Sequence, residues 1–562
     1  MCGIICLLED DNYQIINALN LLKHRGPDGG GFVNFSNISI GHVRLSILDQ
    51  SLNSFQPLES KTGRYIVSFN GEIYNFRRIA NDLGINTSTL SSDTQVLLDF
   101  IEKFNCDKIE DLRGMFSILV FDKLKKEITL VTDHFGQKQL YYYLDKKNNV
   151  RAISSEIKPL LEIFKVKKLN QQSVFDYIDS LEFDHDEKTF FENIKRLEPG
   201  HIMKINSITG EEIEKYDYRN FSLNKINQVK ENNYLDLKFK SVINESLEGD
   251  FQHAISLSGG LDGLFLLNCI SGLNKLDKIG CCYTVEFEDF SEVKYAKQIA
   301  DYFGLRHKKV SFTKSDFIKS IQKNVISQEG PVGGLMNCGL FSLVEKVKRD
   351  GFKTILGGMG LDELFGGYDI FNRPEVNENV LNRKLIDGTE VVKDKRIKKY
   401  NKDIKKEKFY NKFGLRGELI FGSKLRRNLR MLDRLGMQSG IEFRSPFVDW
   451  DIFSVAMSYE ENDLHIDGLG KKPIRDILNK YIDLKLTLLP KKSIQAPQRK
   501  WLCDKEFNKL ILEIFEKEKF FNNFYLDKDF YSQIYSKNLK NNLVDFPIWQ
   551  LINIYFLSLG LV

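Results

Sequence analysis

The residue with the clearest chemical potential is Cys2, in the run Met1-Cys2-Gly3. Removal of Met1 would leave a thiol and a free α-amine on one residue. An α-amine titrates with a pKa near ~8 and a thiol near ~8.5, so the neutral amine can accept the thiol proton around neutral pH. Taken alone, a cysteine at this position is more typical of the start of a buried strand. Polar clusters elsewhere in the chain favour the nucleophile.

Four polar clusters in the N-terminal half supply what thiolate attack on a primary amide needs. They are His24-Arg25-Gly26-Pro27-Asp28, Arg44-Leu45-Ser46-Ile47, Asn70-Gly71-Glu72-Ile73-Tyr74-Asn75 and Ser92-Asp93-Thr94. Each cluster alone is also typical of a turn. Asn70 and the main-chain N–H of Gly71 could stabilise a tetrahedral oxyanion, where one donor contributes ~3 kcal/mol. A glycine there would let the substrate approach the backbone closely.

The same clusters carry charges that suit an amino-acid substrate. Arg44 offers a planar cation for an α-carboxylate. Glu72 and Asp93 are available for an α-ammonium group. We therefore predict a site that cleaves the side-chain amide of an amino acid.

The C-terminal half carries a different motif, Leu257-Ser258-Gly259-Gly260-Leu261-Asp262, between a predicted strand and a predicted helix. Consecutive N–H groups at a helix start bind phosphate, and glycines let it approach. No lysine follows, so this is not the G-x-x-x-x-G-K-[ST] loop. A second cluster, 357–368, also follows a predicted strand. Its Asp362 and the earlier Asp262 would meet in one crevice and suit Mg²⁺.

Basic residues further along could offset phosphate charge. They stand in Lys471-Lys472-Pro473-Ile474-Arg475 and Pro490-Lys491-Lys492. Surface lysines are the alternative interpretation for both runs. The lysine-rich stretch 382–430 favours helix, and we expect its basic side chains to form a solvated face.

The order of the elements predicts two domains. Short β-rich runs separated by turns over 2–218 predict an α+β domain in which β-sheets are sandwiched with helices. The polar segment 220–233 suits a linker. Strands and helices then alternate over 234–562, which predicts an α/β domain with a doubly wound parallel sheet.

Composition narrows the class of protein. A chain of 562 residues with a formal net charge of +4 is nearly neutral for its length, so neither nucleic acid nor a membrane is expected as a partner. The eight cysteines show no C-x-x-C spacing and are expected to be reduced. No leader and no apolar run of ~18 residues is evident, and the apolar run 546–562 is expected to be a buried helix. We expect a cytoplasmic protein.

Taken in order, the N-terminal clusters resemble the glutamine amidotransferase domain of the N-terminal-nucleophile class. The runs Leu112-Arg113-Gly114-Met115-Phe116 and 133–142 match that pattern as well. The resemblance implies that Cys2 is the nucleophile and that Asn70 and Gly71 form the oxyanion hole. It implies that glutamine is bound by Arg44, Leu45, Ser46, Ile47, Leu48, Asn70, Gly71, Glu72 and Asp93.

The C-terminal half resembles the synthetase domain of glutamine-hydrolysing asparagine synthetases, with the PP-loop of ATP pyrophosphatases. Ser445-Pro446-Phe447-Val448-Asp449 and Gln495-Ala496-Pro497 extend the match. The resemblance implies ATP and Mg²⁺ as cofactors, with Asp262 and Asp362 as metal ligands. The implied ATP-binding residues are Leu257, Ser258, Gly259, Gly260, Leu261, Asp262, Val285, Gly357, Gly358, Lys472 and Lys491.

The implied reaction uses small-molecule substrates: glutamine hydrolysis supplies ammonia, ATP adenylates the aspartate side chain, and ammonia displaces AMP. Two positions depart from the family pattern. Gly263 stands where a hydroxyl residue is usual, and Met359 stands where an acidic residue is common.

Two alternatives therefore stay open. The chain could amidate another carboxylate, such as a sugar uronic acid in surface polysaccharide synthesis, or it could be a non-catalytic or glutaminase-only protein. The acceptor, the lining of the ammonia tunnel and the coupling of the sites are not predicted, and a homodimer is compatible with the sequence.

Overall fold

The computed structural model describes residues 2–48, 55–87, 90, 92–223, 231–368, 371, 411–482, 497–541, 544 and 546–560. The strands of the N-terminal part are β1 (Cys2–Leu7), β2 (Gly29–Phe35), β3 (Ile38–Arg44), β4 (Leu58–Glu59), β5 (Tyr65–Ile73), β6 (Gly114–Asp122), β7 (Glu127–Thr132), β8 (Tyr141–Leu144), β9 (Val150–Ser154), β10 (Ile194–Arg196), β11 (His201–Asn206) and β12 (Glu212–Asp217). Its helices are α1 (Asn12–Leu22), α2 (Phe76–Asp82), α3 (Asp93–Phe104), α4 (Ile157–Phe164), α5 (Gln171–Ser180) and α6 (Arg219–Leu223).

These strands form two antiparallel sheets that pack face to face. Their orders are β10-β8-β9-β1-β3-β2 and β12-β11-β7-β6-β5-β4. Alternation along β1 explains the layering, because Ile4 and Cys6 pack into the apolar layer between the sheets. Ile5 and Leu7 point the other way and pack with α1 and α4. Helices α2 and α3 cover the outer face of the second sheet, so the predicted sandwich is confirmed.

The C-terminal part contains β13 (His253–Ser256), β14 (Ile279–Phe287), β15 (Phe290–Ser291), β16 (His307–Phe312), β17 (Thr354–Leu356) and β18 (Glu442–Arg444). The sheet order is β15-β14-β13-β17-β18, and β16 also pairs with β14. All these pairs are parallel except β14 with β15.

Helices cover both faces of this sheet, as predicted for a doubly wound fold. The α-helices described in this part are α7 (Asn232–Ser246), α8 (Leu261–Gly272), α9 (Val293–Tyr302), α10 (Lys314–Gln328), α11 (Leu335–Arg349), α12 (Leu361–Leu364), α13 (Gly414–Gly417), α14 (Lys424–Met437), α15 (Trp450–Ala456), α16 (Lys472–Leu478), α17 (Gln498–Trp501), α18 (Lys505–Phe515), α19 (Glu518–Asn523), α20 (Lys528–Lys540) and α21 (Phe546–Leu559). On β17, Leu356 packs with α7 and α8, whereas Ile355 packs with α10 and α11.

The two parts meet along α14, and this corrects one expectation. Arg426 and Arg430 lie at the end of the stretch 382–430 but are buried. Arg430 Nε donates to the Asp184 carboxylate at 2.7 Å, in the loop after α5. A solvated face is therefore wrong for these two residues, because a buried arginine needs a carboxylate and here it finds one across the interface. Residues 382–410 lie outside the described residues.

Two smaller expectations can be compared directly with the structure. The apolar run near the C-terminus forms α21, whose side chains are mostly buried, so the predicted core helix is confirmed. All eight cysteines are free, as expected. Within the described part of the chain, no helix has both the length and the apolarity needed to span a membrane.

Candidate functional site

Cys2 opens β1 and lies at the edge of a pocket. In the antiparallel ladder it faces Arg44, the last residue of β3. Its main-chain nitrogen donates a 2.9 Å hydrogen bond to Oδ1 of Asn70 on β5 in the facing sheet. An α-amine at this position would be held by the same amide oxygen, beside the thiol that it must deprotonate.

The pocket brings together most of the predicted glutamine-binding residues. The predicted residues that line it are Cys2, Arg44, Leu45, Ser46, Ile47, Leu48, Gly71, Glu72 and Asp93. Ser92 and Thr94 of the predicted Ser-Asp-Thr cluster also line it, although neither was assigned to glutamine, and Gln56 and Phe69 were not predicted. The predicted Asn70 is not among the lining residues, but its side chain contacts Cys2.

Gly71 is required by the packing of two strands. Its φ is +142°, and a Cβ atom at this position would lie 1.9 Å from the carbonyl oxygen of Met115 on β6. The sequence suggested a different reason, close approach of the substrate. The structure gives the neighbouring strand as the direct cause. The amide nitrogen Nδ2 of the adjacent Asn70 makes a long contact of 3.5 Å with Ser117 Oγ.

Arg44 provides the basic part of the pocket. At Arg44 the guanidinium stacks on the ring of Phe55, with 4.9 Å from Cζ to the ring centroid. Burial raises the pKa of the Cys2 thiol, although the main-chain N–H of Leu45 lowers it in part. A neighbouring base is therefore needed to form the thiolate.

Glu72 and Asp93 provide the acidic part of the pocket. Asp93 begins α3, Ser92 caps that helix, and the Asp93 carboxylate accepts a 2.8 Å hydrogen bond from the N–H of Ile73. Burial raises the pKa of Asp93 to about 6. Burial, and then repulsion from Asp93, raise the pKa of Glu72 well above its usual range. Such a pair favours a cationic ligand, because a positive charge would relieve the repulsion.

Residues of the C-terminal half contact two residues that line this pocket, and the sequence did not reveal these contacts. Arg444 on β18 forms an ion pair with Glu72 at 3.3 Å, and its Nε donates to Glu442 at 2.6 Å. Lys353, just before β17, donates to the carbonyl oxygen of Ser46 at 2.9 Å. Arg444 and Lys353 lie far from Cys2 in the sequence, so no motif indicated that they contact this pocket.

The His-Arg-Gly-Pro-Asp run supports the pocket from outside. Arg25 is fully buried and donates to the carbonyl oxygen of Cys2 at 2.9 Å. The same guanidinium forms ion pairs with Glu156 at 2.8 Å and with Asp433 of α14 at 3.0 Å. The motif therefore ties the start of β1 to the other domain.

A second candidate site lies where β13 and β17 end. Gly260 caps the N-terminus of α8, so the loop from Leu257 leads directly into a helix start. A Cβ atom on Gly358 would lie 2.7 Å from that of Asp262, which shows that the two predicted loops touch. The carbonyl of Leu257 accepts a 2.6 Å hydrogen bond from Thr284 on β14, and Val285 follows on the same strand.

Lys471 joins the two predicted metal ligands. Its ammonium lies 2.7 Å from the carboxylate of Asp362 and also pairs with Asp262. The side chain is buried, and its φ of +63° is a left-handed conformation. The predicted Lys472 instead pairs with Asp476 at 2.7 Å. The predicted Lys491 lies outside the described residues.

The two departures from the family pattern have distinct surroundings. Gly263 lies in the first turn of α8, where a Cβ atom would meet Cδ1 of Leu257 at 2.5 Å. Met359 packs against the core of the second domain, and its sulfur lies 4.0 Å from Nδ2 of Asn428 on α14. Among the described residues, no group of three or more His, Cys, Asp or Glu side chains could hold a metal ion.

The two-domain fold is that of a glutamine amidotransferase domain followed by an asparagine synthase domain. Residues 1–218 match the glutamine amidotransferase domain family, and residues 235–559 match the asparagine synthase family. The chain therefore belongs to the asparagine synthase family.

Individual relatives are distant in sequence. Asparagine synthetase [glutamine-hydrolyzing] 1 of Bacillus subtilis (strain 168) is 25% identical over 99% of this chain and 97% of its own length. Amidase chry2 of Gibberella zeae is 28% identical over 67% of this chain, and the match spans 61% of that protein's length.

Proposed function

We propose that the chain is a glutamine-dependent asparagine synthetase, with glutamine hydrolysis assigned to residues 2–218 and ATP-dependent synthesis to 234–562. The observation that carries the proposal is the position of Cys2, at the edge of a pocket with Arg44 and the Glu72–Asp93 pair. Cys2 would attack the side-chain amide of glutamine. Arg44 complements the α-carboxylate of glutamine, and the Glu72–Asp93 pair complements its α-ammonium.

In this proposal the α-amine of Cys2, held by Asn70, takes the thiol proton. The thiolate attacks the side-chain amide of glutamine. The main-chain N–H of Gly71 and Nδ2 of Asn70 donate to the oxyanion. The α-ammonium of Cys2 then returns the proton to the amide nitrogen, and the C–N bond breaks to release ammonia. Water then hydrolyses the glutamyl thioester to glutamate.

The second step joins ammonia to a carboxylate that ATP has activated. The loop from Ser258 to Asp262 would hold the phosphates, with the N–H groups at the start of α8 as donors. Lys471 would offset the charge that develops as pyrophosphate leaves. Asp262 and Asp362 supply two oxygen donors, which fits Mg²⁺ only as a site shared with phosphate oxygens. When bound, Mg²⁺ would neutralise phosphate charge.

A second acceptor has one observation in its favour. Met359 presents a thioether beside Asn428, so this position carries no carboxylate for the α-ammonium of aspartate. An acceptor without an ammonium group, such as a sugar uronic acid, would suit these surroundings.

The test is an acceptor screen with protein whose Met1 has been removed. Glutamine, ATP and Mg²⁺ are supplied with aspartate or with one other carboxylate, and pyrophosphate, AMP and the amide are measured. Asparagine with one pyrophosphate per glutamate supports the first proposal. Pyrophosphate formed only with another carboxylate supports the second, and no pyrophosphate with any carboxylate contradicts both.

A further inference from the structure

Two neighbouring strands of the synthetase sheet connect the two candidate sites. At the start of β17, Lys353 donates to the carbonyl oxygen of Ser46 and forms an ion pair with Asp28, both at 2.9 Å. At its end, β17 leads into Gly357 of the predicted ATP loop. Three residues of β17 therefore separate a contact with the glutamine pocket from the nucleotide loop.

Arg444 makes the same connection within one residue. Its main-chain carbonyl accepts a 3.0 Å hydrogen bond from the N–H of Gly357. Its side chain reaches the other way, donates to the carbonyl of Ser246 at 2.7 Å and pairs with Glu72 at 3.3 Å. The side chain is 1% exposed, so these contacts are shielded from water.

The pocket loop is also packed against the synthetase domain. Leu45 and Ile47 form an apolar cluster with Met437, the last residue of α14, and Phe251 packs against it. The loop that follows Arg44 is therefore fixed on one side by its own sheet and on the other by the second domain.

Charge explains what Arg444 does for the pocket. Glu72, Asp93 and Glu442 are three buried carboxyl groups close together, and Arg444 is ion-paired with two of them. The guanidinium partly offsets the rise that burial and Asp93 cause in the pKa of Glu72, so its removal would raise that pKa further and favour the protonated form. A neutral Glu72 would attract an ammonium group less strongly.

We propose that Arg444 is a positioning residue that completes the glutamine pocket from the synthetase domain and couples glutamine binding to nucleotide binding at Gly357. Nucleotide on the loop restrains Gly357, and through its N–H the backbone of Arg444. The guanidinium is then held against Glu72 at a smaller entropic cost, so glutamine binds more tightly. This inference rests on the proposed function.

Coupling of this kind is reciprocal, so it can be measured from either ligand. The Cys2→Ala protein is used, because it can bind glutamine without cleaving it, together with α,β-methylene-ATP and Mg²⁺, because that analogue is not split. We expect the nucleotide to lower the Kd for glutamine by at least about fivefold, and glutamine to lower the Kd for the nucleotide by the same factor.

Four variants of the Cys2→Ala protein test whether Arg444 carries the coupling between glutamine and nucleotide binding. The coupling factor is the ratio of the Kd for glutamine without nucleotide to the Kd with nucleotide. Arg444→Gln should bring this factor to within about twofold of one and raise the Kd for glutamine about tenfold. Arg444→Lys should restore part of the coupling and part of the affinity. Lys353→Gln, at a partly exposed side chain, should reduce the coupling even if Arg444→Gln fails to fold. Arg113→Gln breaks a different contact between the domains, the 3.1 Å pair with Asp451, and should keep the full factor.

The inference is overturned if glutamine and nucleotide both bind but independently, or if Arg444→Gln folds and keeps the full coupling. Failure of the proposed function gives a different result, in which the unmodified chain neither hydrolyses glutamine nor releases pyrophosphate.

Discussion

The ammonium group of Lys471 lies 2.7 Å from the carboxylate of Asp362 and also pairs with Asp262. The adjacent Lys472 points elsewhere and pairs with Asp476. Two neighbouring lysines therefore offer a matched comparison of a buried cation in the second candidate site with one that is partly exposed.

Lys471→Met should lower pyrophosphate formation at least ~100-fold, because a preorganised cation at a site of developing charge contributes about 3 kcal/mol. Lys472→Met should stay within about twofold of the unmodified chain. Steady-state pyrophosphate release checks both variants, and glutamine hydrolysis in the same preparations checks folding of the first domain. Equal losses in the two variants would contradict this assignment.

Replacement of Gly71 tests why a glycine is needed between Asn70 and Glu72. Gly71→Ala would place a methyl group against the carbonyl of Met115 at a φ of +142°. We expect a loss of about 3 kcal/mol or more in the free energy of unfolding. Gly31→Ala on β2 is the control, since its nearest neighbour would be 3.9 Å away. Thermal unfolding measures both, and a Gly71→Ala protein as stable as the control would refute this explanation.

The raised pKa of Asp93, about 6 against 3.8 for a free side chain, predicts a pH dependence. In the folded protein this group favours the protonated form, so its contribution to stability is present below pH 3.8 and is lost as pH rises through about 6. Glutamine affinity has the opposite sign, because an ammonium group is attracted only by the carboxylate.

Calorimetric titration of glutamine into the Cys2→Ala protein should give a Kd about tenfold weaker at pH 5 than at pH 7. Asp93→Asn should bind more weakly at pH 7 and show a ratio below about threefold, because removal of the neighbouring charge lowers the pKa of Glu72 as well. Tighter binding at pH 5 would show that the acidic pair does not hold the ammonium group.

Arg25 is expected to be more important for stability than its place in a turn motif suggests. Arg25→Gln leaves Glu156 and Asp433 buried with less compensating charge, which should cost about 3–5 kcal/mol. Arg151→Gln, which removes a partly exposed pair with Asp145, should cost no more than about 1 kcal/mol. Chemical denaturation of both variants provides the measurement, and similar losses would mean that the buried network is unimportant.

The sequence predicted those parts of the site that local chemistry defines. Cys2, Arg44, Glu72 and Asp93 are reactive or charged residues next to turn residues, and the strand–helix alternation after residue 233 predicted where Asp262 would lie. β3 ends at Arg44, because the residues after Arg44 leave the ladder to line the pocket.

The parts that the sequence missed depend on how the domains dock. Arg444 and Lys353 lie about 300 residues or more from the pocket residues they contact, in strands whose apolar pattern indicates only a sheet. The burial of Arg426 and Arg430 also results from domain docking. The sequence of a basic helix predicts a solvated face, because it does not show that another domain with carboxylates covers it. The sequence does not distinguish Lys471 from Lys472. The left-handed backbone conformation of Lys471 distinguishes the two lysines in the structure.

The most direct test of the account compares two nitrogen sources in the Cys2→Ala protein. With glutamine as donor, ATP-dependent amide formation should fall below detection. With ammonium salts it should stay within about twofold of the unmodified chain, because the synthetase site lies in the other domain. Equal loss with both donors, or continued activity with glutamine, would contradict the claim that Cys2 supplies the ammonia.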